Sequence, residues 1–175
     1  MRCVFFDRDG IVNISPGPGY VEKTEDFHIQ PAFLEAATIA RNRGYGIAIA
    51  TNQRGVARGI MSRQALDDIH AHLMEQLQHA GIPLLGIYCC THDRNTCTCR
   101  KPQPGLLLQA AQEHHIDLKT SWMIGDNETD IEAGRRAGCR TILVNETPDA
   151  KTRATYIIPA IDDLPATLVK LLETT

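Results

Sequence analysis

Short apolar runs alternate with segments of helical spacing along this chain, and several of the runs stop at polar residues. Val4-Phe5-Phe6 reads as a buried strand that ends at Asp7-Arg8-Asp9-Gly10. From Pro31 to Arg43, Phe33, Leu34, Ala37, Ile39 and Ala40 recur at helical spacing, with Gly44 as the stop. Tyr45 to Ala50 is a second buried strand, closing on Thr51-Asn52-Gln53. Ser62 is placed as the N-cap of a long helix whose buried face is marked by Leu66, Ile69, Leu73, Leu77 and Ala80, leaving His70, His72 and His79 on its wetter side. Pro83 to Cys89 is a third apolar run. Pro104 opens a helix through His115, with Leu106, Leu107, Ala110 and Ala111 inward. Ser121 to Ile124 is a fourth strand that runs into Gly125-Asp126-Asn127-Glu128-Thr129-Asp130. Ile131 to Ala137 follows as a short helix stopped by Gly138, then strands at Thr141–Val144 and Tyr156–Ile158, and an amphipathic helix from Leu164 to Leu172. This alternation predicts an α/β fold, a doubly wound parallel sheet with helices on both faces.

Two stretches fall outside the alternation. Residues 11–30 form a long connection in which Ser15-Pro16-Gly17-Pro18-Gly19-Tyr20 forbids regular structure, and a loop of that length in a compact domain is usually functional, so it reads as a flap. Residues 89–101 hold Cys89, Cys90, His92, Cys97 and Cys99, a metal-like cluster.

Composition narrows the function. The 175 residues suit one domain over 1–175, long enough for a full core without disulfides. A net charge of −3 gives no general attraction to nucleic acid or an anionic membrane, so an anionic partner must be held by a local site. No apolar run approaches the ~20 residues a membrane span needs, and no signal peptide is evident; the expected compartment is the cytoplasm and the expected state a monomer. In a reducing compartment six cysteines argue against disulfides, which leaves Cys3 and Cys139 as buried thiols.

In a parallel sheet the carboxyl ends of the strands share one edge, where ligands bind. That edge would gather Asp7, Asp9, Thr51 and Asp126, with Lys101 in the loop after the third strand. Three such carboxylates repel, each pair ~4 Å apart costing on the order of 4 kcal/mol at an effective dielectric of ~20. A divalent cation relieves this, and oxygen ligands with room for water suit Mg2+. Asp7, Asp9 and Asp126 are assigned to it, Asp9 by side chain or backbone carbonyl, with Asp130 in support, orienting Lys101 or a metal water. A metal, a hydroxyl and a lysine around carboxylates are the parts of phosphoryl transfer. Asp7 would attack phosphorus, Asp9 would act as general acid and base, and Thr51 and Lys101 would hold the phosphoryl oxygens. The partner is then a small phosphorylated metabolite.

Asp7-Arg8-Asp9-Gly10, Thr51-Asn52-Gln53, Arg100-Lys101-Pro102 and Gly125-Asp126-Asn127-Glu128-Thr129-Asp130 resemble, in order, the four motifs of the haloacid-dehalogenase superfamily. Within it, residues 51–59 and the cysteine loop resemble the heptose-bisphosphate phosphatase branch, to which the histidinol-phosphate phosphatases are related. The resemblance implies a Rossmann-like sheet, a minimal cap, Mg2+ dependence and an aspartyl-phosphate. It also implies substrate contacts from Gly17, Pro18, Gly19, Tyr20, Asn52, Gln53, Arg54, Arg100 and Asn127. Asn127 stands where a lysine is expected in the heptose enzymes, and the flap carries extra Pro and Gly; both bear on the sugar rather than the reaction.

Cys90, His92, Cys97 and Cys99 would make a closed tetrahedral zinc site, structural because no position is open. A shifted set including Cys89 is the alternative. Zn2+ would fix a loop that otherwise lacks a core and that carries Arg100 and Lys101. Two readings of other classes compete. A signalling receiver domain would need its phosphorylated Asp after the third strand, where this chain has Tyr88-Cys89-Cys90, and a binding-only zinc module would leave the five polar groups unexplained.

Overall fold

The computed structural model describes residues 1–172; residues 173–175, the end of the expected domain, lie outside the described residues. Six strands, β1 (Cys3–Phe6), β2 (Gly46–Asn52), β3 (Gly86–Cys90), β4 (Trp122–Gly125), β5 (Arg140–Val144) and β6 (Tyr156–Ile158), make one sheet of order β3-β2-β1-β4-β5-β6. All neighbouring pairs are parallel. The chain leaves β1 toward β2 and later returns to β1's other side as β4, so the crevice at the β1/β4 switch point is where a ligand is expected.

Side-chain alternation along β1 divides the core. Val4 and Phe6 join Phe33, Ala36 and Ala37 of α1 (Pro31–Asn42), Ile69 and Leu73 of α2 (Arg63–His79) and Leu164 and Leu168 of α5 (Leu164–Leu171) on one face. Cys3 and Phe5 join Leu106, Leu107 and Ala110 of α3 (Gly105–His114) and Met123 on the other. α4 (Glu128–Ala137) packs on that second side, Gly134 lying so close to Met123 and Thr141 that a Cβ would meet both at 2.7 Å. Cys3 and Cys139 are buried free thiols.

Ser62 caps α2 as expected, accepting the Ala65 N–H at 3.0 Å. Ala80, expected on the buried face, is exposed and stands at the C-cap of the helix. Pro104 stands at the N-cap of α3 rather than inside it. α4 starts three residues before the expected Ile131, because Asn127 and Asp130 form a capping box. The 11–30 connection is less open than its Pro/Gly content suggests: Ile11, Val12, Val21 and Phe27 are buried in the first core, and Thr24–Asp26 is a 3-10 turn. Among the described residues no further helix or strand is inserted there, so this segment builds no cap domain of its own. Among the described residues no helix is long and apolar enough to cross a membrane.

Candidate active site and metal centres

Asp7 follows β1 directly, and its N–H donates to the Ile124 carbonyl of β4 at 2.8 Å, which places its side chain over the switch point. Gly10, at φ +89°, turns the chain away; a Cβ there would lie 2.1 Å from Asp126 Oδ2, so the approach of Asp126 requires glycine. Asp126 follows β4. Asp130 is turned inward by the capping box, its Oδ2 accepting the Asn127 N–H at 3.1 Å. The Lys101 side chain is 2 % exposed; its Nζ lies 2.6 Å from Asp7 Oδ1 and 2.6 Å from Asp130 Oδ1, and also donates to the Ala50 carbonyl at 2.7 Å.

Asn52 extends β2 into this arrangement. Its Oδ1 accepts the Lys101 N–H and its Nδ2 donates to the Lys101 carbonyl, both at 3.0 Å, so the loop's lysine is held at its backbone as well as at its ammonium.

The cluster is electrostatically unsatisfied on its own. Burial, then repulsion from Asp130, pushes the Asp7 carboxyl up to about 7 against the pull of Lys101. Burial and Asp7 together raise Asp126 to about 6. Burial also raises Asp130. Lys101 is buried too, which disfavours its charge, but Asp130 and Asp7 outweigh this and hold it above the ordinary lysine value. One lysine thus faces three acids, and oxygens of Asp7, Asp126 and Asp130 come within 4.8 Å of one another. An all-oxygen set with surplus negative charge fits a hard divalent cation. Asp130 already spends its oxygens on Lys101 and the Asn127 N–H, which leaves Asp7 and Asp126 as the freer carboxylates.

Asp9 lines the same cavity of about 390 Å³ as Asp7, Thr51, Lys101 and Asp126. Its carboxylate is engaged from behind: by Arg8 Nη2 at 3.0 and 3.1 Å, Asn13 Nδ2 at 2.9 Å and Gln53 Nε2 at 2.8 Å. The side chain is therefore committed to organic donors, and the backbone carbonyl is the Asp9 atom left for a cation.

Gly17, Pro18, Gly19, Tyr20, Asn52, Arg54, Arg100 and Asn127 line this cavity, and Asn52, Arg100 and Asn127 also border an adjoining one of about 670 Å³ beside Arg94 and Gln103. Gln53 departs from the expected substrate contact: it is fully buried, and its amide donates to Asp9 and to Thr51 Oγ1 at 3.0 Å. Arg54 pairs with Asp93. Arg100 Nη1 is buried and has no hydrogen-bond partner.

The second candidate centre is Cys90, His92, Cys97 and Cys99. Cys90 Sγ is 3.5 Å from His92 Nδ1 and 3.6 Å from Cys97 Sγ; Cys99 Sγ is 3.3 Å from His92 Nδ1 and 3.4 Å from Cys97 Sγ. A tetrahedron with bonds of ~2.0–2.3 Å has edges of roughly 3.5–3.8 Å, so the four atoms fit one zinc ion with little movement. Cys89 lies outside the group, lining a separate cavity with Arg63, Asp67 and His70, because successive residues of β3 face opposite ways.

His70 departs from the wetter-side expectation. It is half-buried, and its Nε2 lies 3.2 Å from Arg8 Nη1.

Comparison with known proteins bears on this geometry. A HAD-hydrolase-like family model matches residues 98–164. A D-glycero-beta-D-manno-heptose-1,7-bisphosphate 7-phosphatase of Helicobacter pylori is 40% identical over 158 residues, spanning 89% of this chain and 90% of that protein. This chain belongs to the haloacid-dehalogenase-like phosphatases. A second family member, the enzyme of the same name from Pasteurella multocida, is 38% identical over 94% of this chain and 95% of its own. The haloacid-dehalogenase fold is also that of a D,D-heptose 1,7-bisphosphate phosphatase from B. bronchiseptica complexed with magnesium and phosphate, with TM-score 0.84, 28% identity, and coverage of 97% of this chain and 99% of that one.

Proposed function

We propose that the chain is a Mg2+-dependent phosphomonoester hydrolase that removes the 7-phosphate of a D-glycero-D-manno-heptose 1,7-bisphosphate through an aspartyl-phosphate at Asp7. The observation that carries the reaction is the meeting of Asp7, Lys101 and Asp126 on the wall of one cavity at the β1/β4 switch point. Asp7 Oδ attacks phosphorus, the bond from phosphorus to the ester oxygen breaks, and Asp9 gives its proton to the departing oxygen. Water then attacks the aspartyl-phosphate. Asp9 takes a proton from that water, the phosphorus bond to Asp7 breaks, and inorganic phosphate leaves. Thr51 and Lys101 hold the phosphoryl oxygens in place. Asp7, Asp126 and the Asp9 backbone carbonyl would hold Mg2+, which supplies positive charge against the phosphoryl oxygens and keeps Asp7 ionised.

The substrate reading rests on the named relatives and on charge. The adjoining cavity of about 670 Å³ is bordered by Arg94 and Arg100, and the unpaired buried Nη1 of Arg100 favours an anionic substituent at a distance from the scissile phosphate. Zn2+ on Cys90, His92, Cys97 and Cys99 would pin the loop that carries Arg100. Steady-state rates with Mg2+ on heptose 1,7-bisphosphate and on histidinol phosphate test the reading. A kcat/KM preference of about 10²-fold or more for the heptose is expected; equal rates or the reverse preference would overturn it.

A further inference from the structure

Arg8 is the residue between the two acids of the first motif, yet it is fully buried. Its Nε and Nη2 hold the Asp9 carboxylate, and its Cζ lies 5.7 Å from the centre of the Phe27 ring. The remaining nitrogen, Nη1, meets His70 Nε2 at 3.2 Å. A guanidinium can only donate, so Nε2 accepts and the ring proton resides on Nδ1. Burial, and then the Arg8 charge, lowers His70 to about 4, which keeps the ring neutral and able to accept.

We infer that His70 is a positioning residue for the reaction: by accepting from Arg8 it fixes the guanidinium that orients the Asp9 carboxylate at the cavity wall. This rests on the reading of Asp9 as general acid and base. The chain of contacts runs from α2 through Arg8 to Asp9, so a helix that lines no part of the substrate cavity sets the aim of the proton-transfer group. Without an acceptor at residue 70, the buried Nη1 is left unpaired and Arg8 shifts to find one, taking the Asp9 carboxylate with it. Asn13 and Gln53 still hold the acid, so its aim degrades rather than disappears.

The consequence depends on the leaving group. An alkyl phosphate needs its oxygen protonated as it departs, whereas 4-nitrophenyl phosphate releases a stable anion without help. The experiment compares kcat and KM of wild type, His70→Leu, His70→Gln and Asp9→Asn on a sugar phosphate and on 4-nitrophenyl phosphate, with folding checked by thermal melting. His70→Leu is expected to lower kcat on the sugar phosphate by about 10-fold with KM little changed, and to lower the rate of the initial nitrophenolate burst on the aryl ester, which reports leaving-group departure alone, by less than about 3-fold. His70→Gln, whose amide oxygen can accept from Arg8, should recover most of the sugar-phosphate rate. Equal losses of His70→Leu on both substrates, or a Gln variant as poor as the Leu variant, would overturn the inference. Asp9→Asn separates the two levels. If it loses much more on the sugar phosphate while His70→Leu does not, the His70 role fails alone; if Asp9→Asn itself lacks the leaving-group bias, the reading of Asp9 fails and takes the inference with it.

Discussion

The two candidate metal centres lie beside one another but are held in opposite ways. Asp7 and Asp126 are extensions of β1 and β4, and Asp130 is aimed by a capping box, so the acid cluster is placed by sheet and helix termini backed by buried core. The Cys/His loop has less backing: Cys90 is a buried β3 residue, but residues 91–100 contain no helix or strand, and every one of them is half-buried or exposed. The first centre is tied into the core through the elements that carry it, whereas the second is tied mainly through its own four ligand atoms, which is why metal removal is expected to disturb the second more. What joins them is Asn52, whose two hydrogen bonds fasten the Lys101 backbone to β2.

The largest expected effect breaks the chemistry and spares both structures. Asp7→Asn should lower turnover by on the order of 10⁴-fold or more while melting stays cooperative, because a neutral amide cannot attack phosphorus. Next comes the dependent centre. A chelator that removes Zn2+, followed by resupply of Mg2+, should leave ~10–100-fold less activity with the sheet's circular dichroism intact; unchanged turnover would mean that the loop holds Lys101 without its metal. Asn52→Ala cuts the tie between the centres and should lower kcat by ~10-fold, since two half-buried hydrogen bonds to a catalytic residue's backbone are lost. Activity equal to wild type would assign Lys101's position to its ion pairs alone.

The acid cluster can be sharpened by pH. Asp7 and Asp126 have folded-state values raised to about 7 and about 6, above their ordinary carboxylate values, so the metal-free fold binds these protons more tightly than the unfolded chain. Their contribution is therefore fullest at acid pH and is lost as pH rises through 6 and 7. His70 has the opposite sign: lowered to about 4, its contribution is lost as pH falls through that value. It is common to both states of the metal centre, so the difference in melting temperature with and without Mg2+ isolates the acids. That difference should grow between pH 5 and pH 8, by about 2–4 °C for each ~1 kcal/mol of coupling; a flat difference would argue against binding at these carboxylates. The smallest effect is a control: Gly138, at φ +94° where α4 ends, should cost about 1 kcal/mol when changed to Ala and leave turnover as it was.

Much of this architecture was legible from residues alone, for a physical reason. A buried parallel strand is a short apolar run, and polar residues at its end mark the sheet edge where ligands bind, so Asp7, Thr51 and Asp126 announce themselves. Local patterns failed where a residue's partner is remote. Nothing near Ile11, Val12 and Phe27 in sequence reveals that the flap's two ends tuck under the first core. His70 adjoins the stripe of Leu66, Ile69 and Leu73 and reads as polar-face, because its acceptor role exists only beside Arg8, 62 residues away. Gln53 follows two cavity-lining residues and reads as a substrate contact, but its amide is taken up by Asp9 and Thr51. One miss had a usable signal: Asn127 followed three residues later by Asp130 is a capping pair, and would have started α4 at Glu128.

Every role proposed for the site depends on Asp7 accepting the phosphoryl group covalently. Asp9→Asn, which can be loaded by 4-nitrophenyl phosphate but lacks the base for water attack, tests it most directly by intact and peptide mass measurement after acid quench in the presence of Mg2+. One added phosphoryl group is expected on the peptide containing Asp7, absent from the Asp7→Asn protein. Phosphate release by the wild type with no covalent adduct in either the wild-type or the Asp9→Asn protein would contradict it.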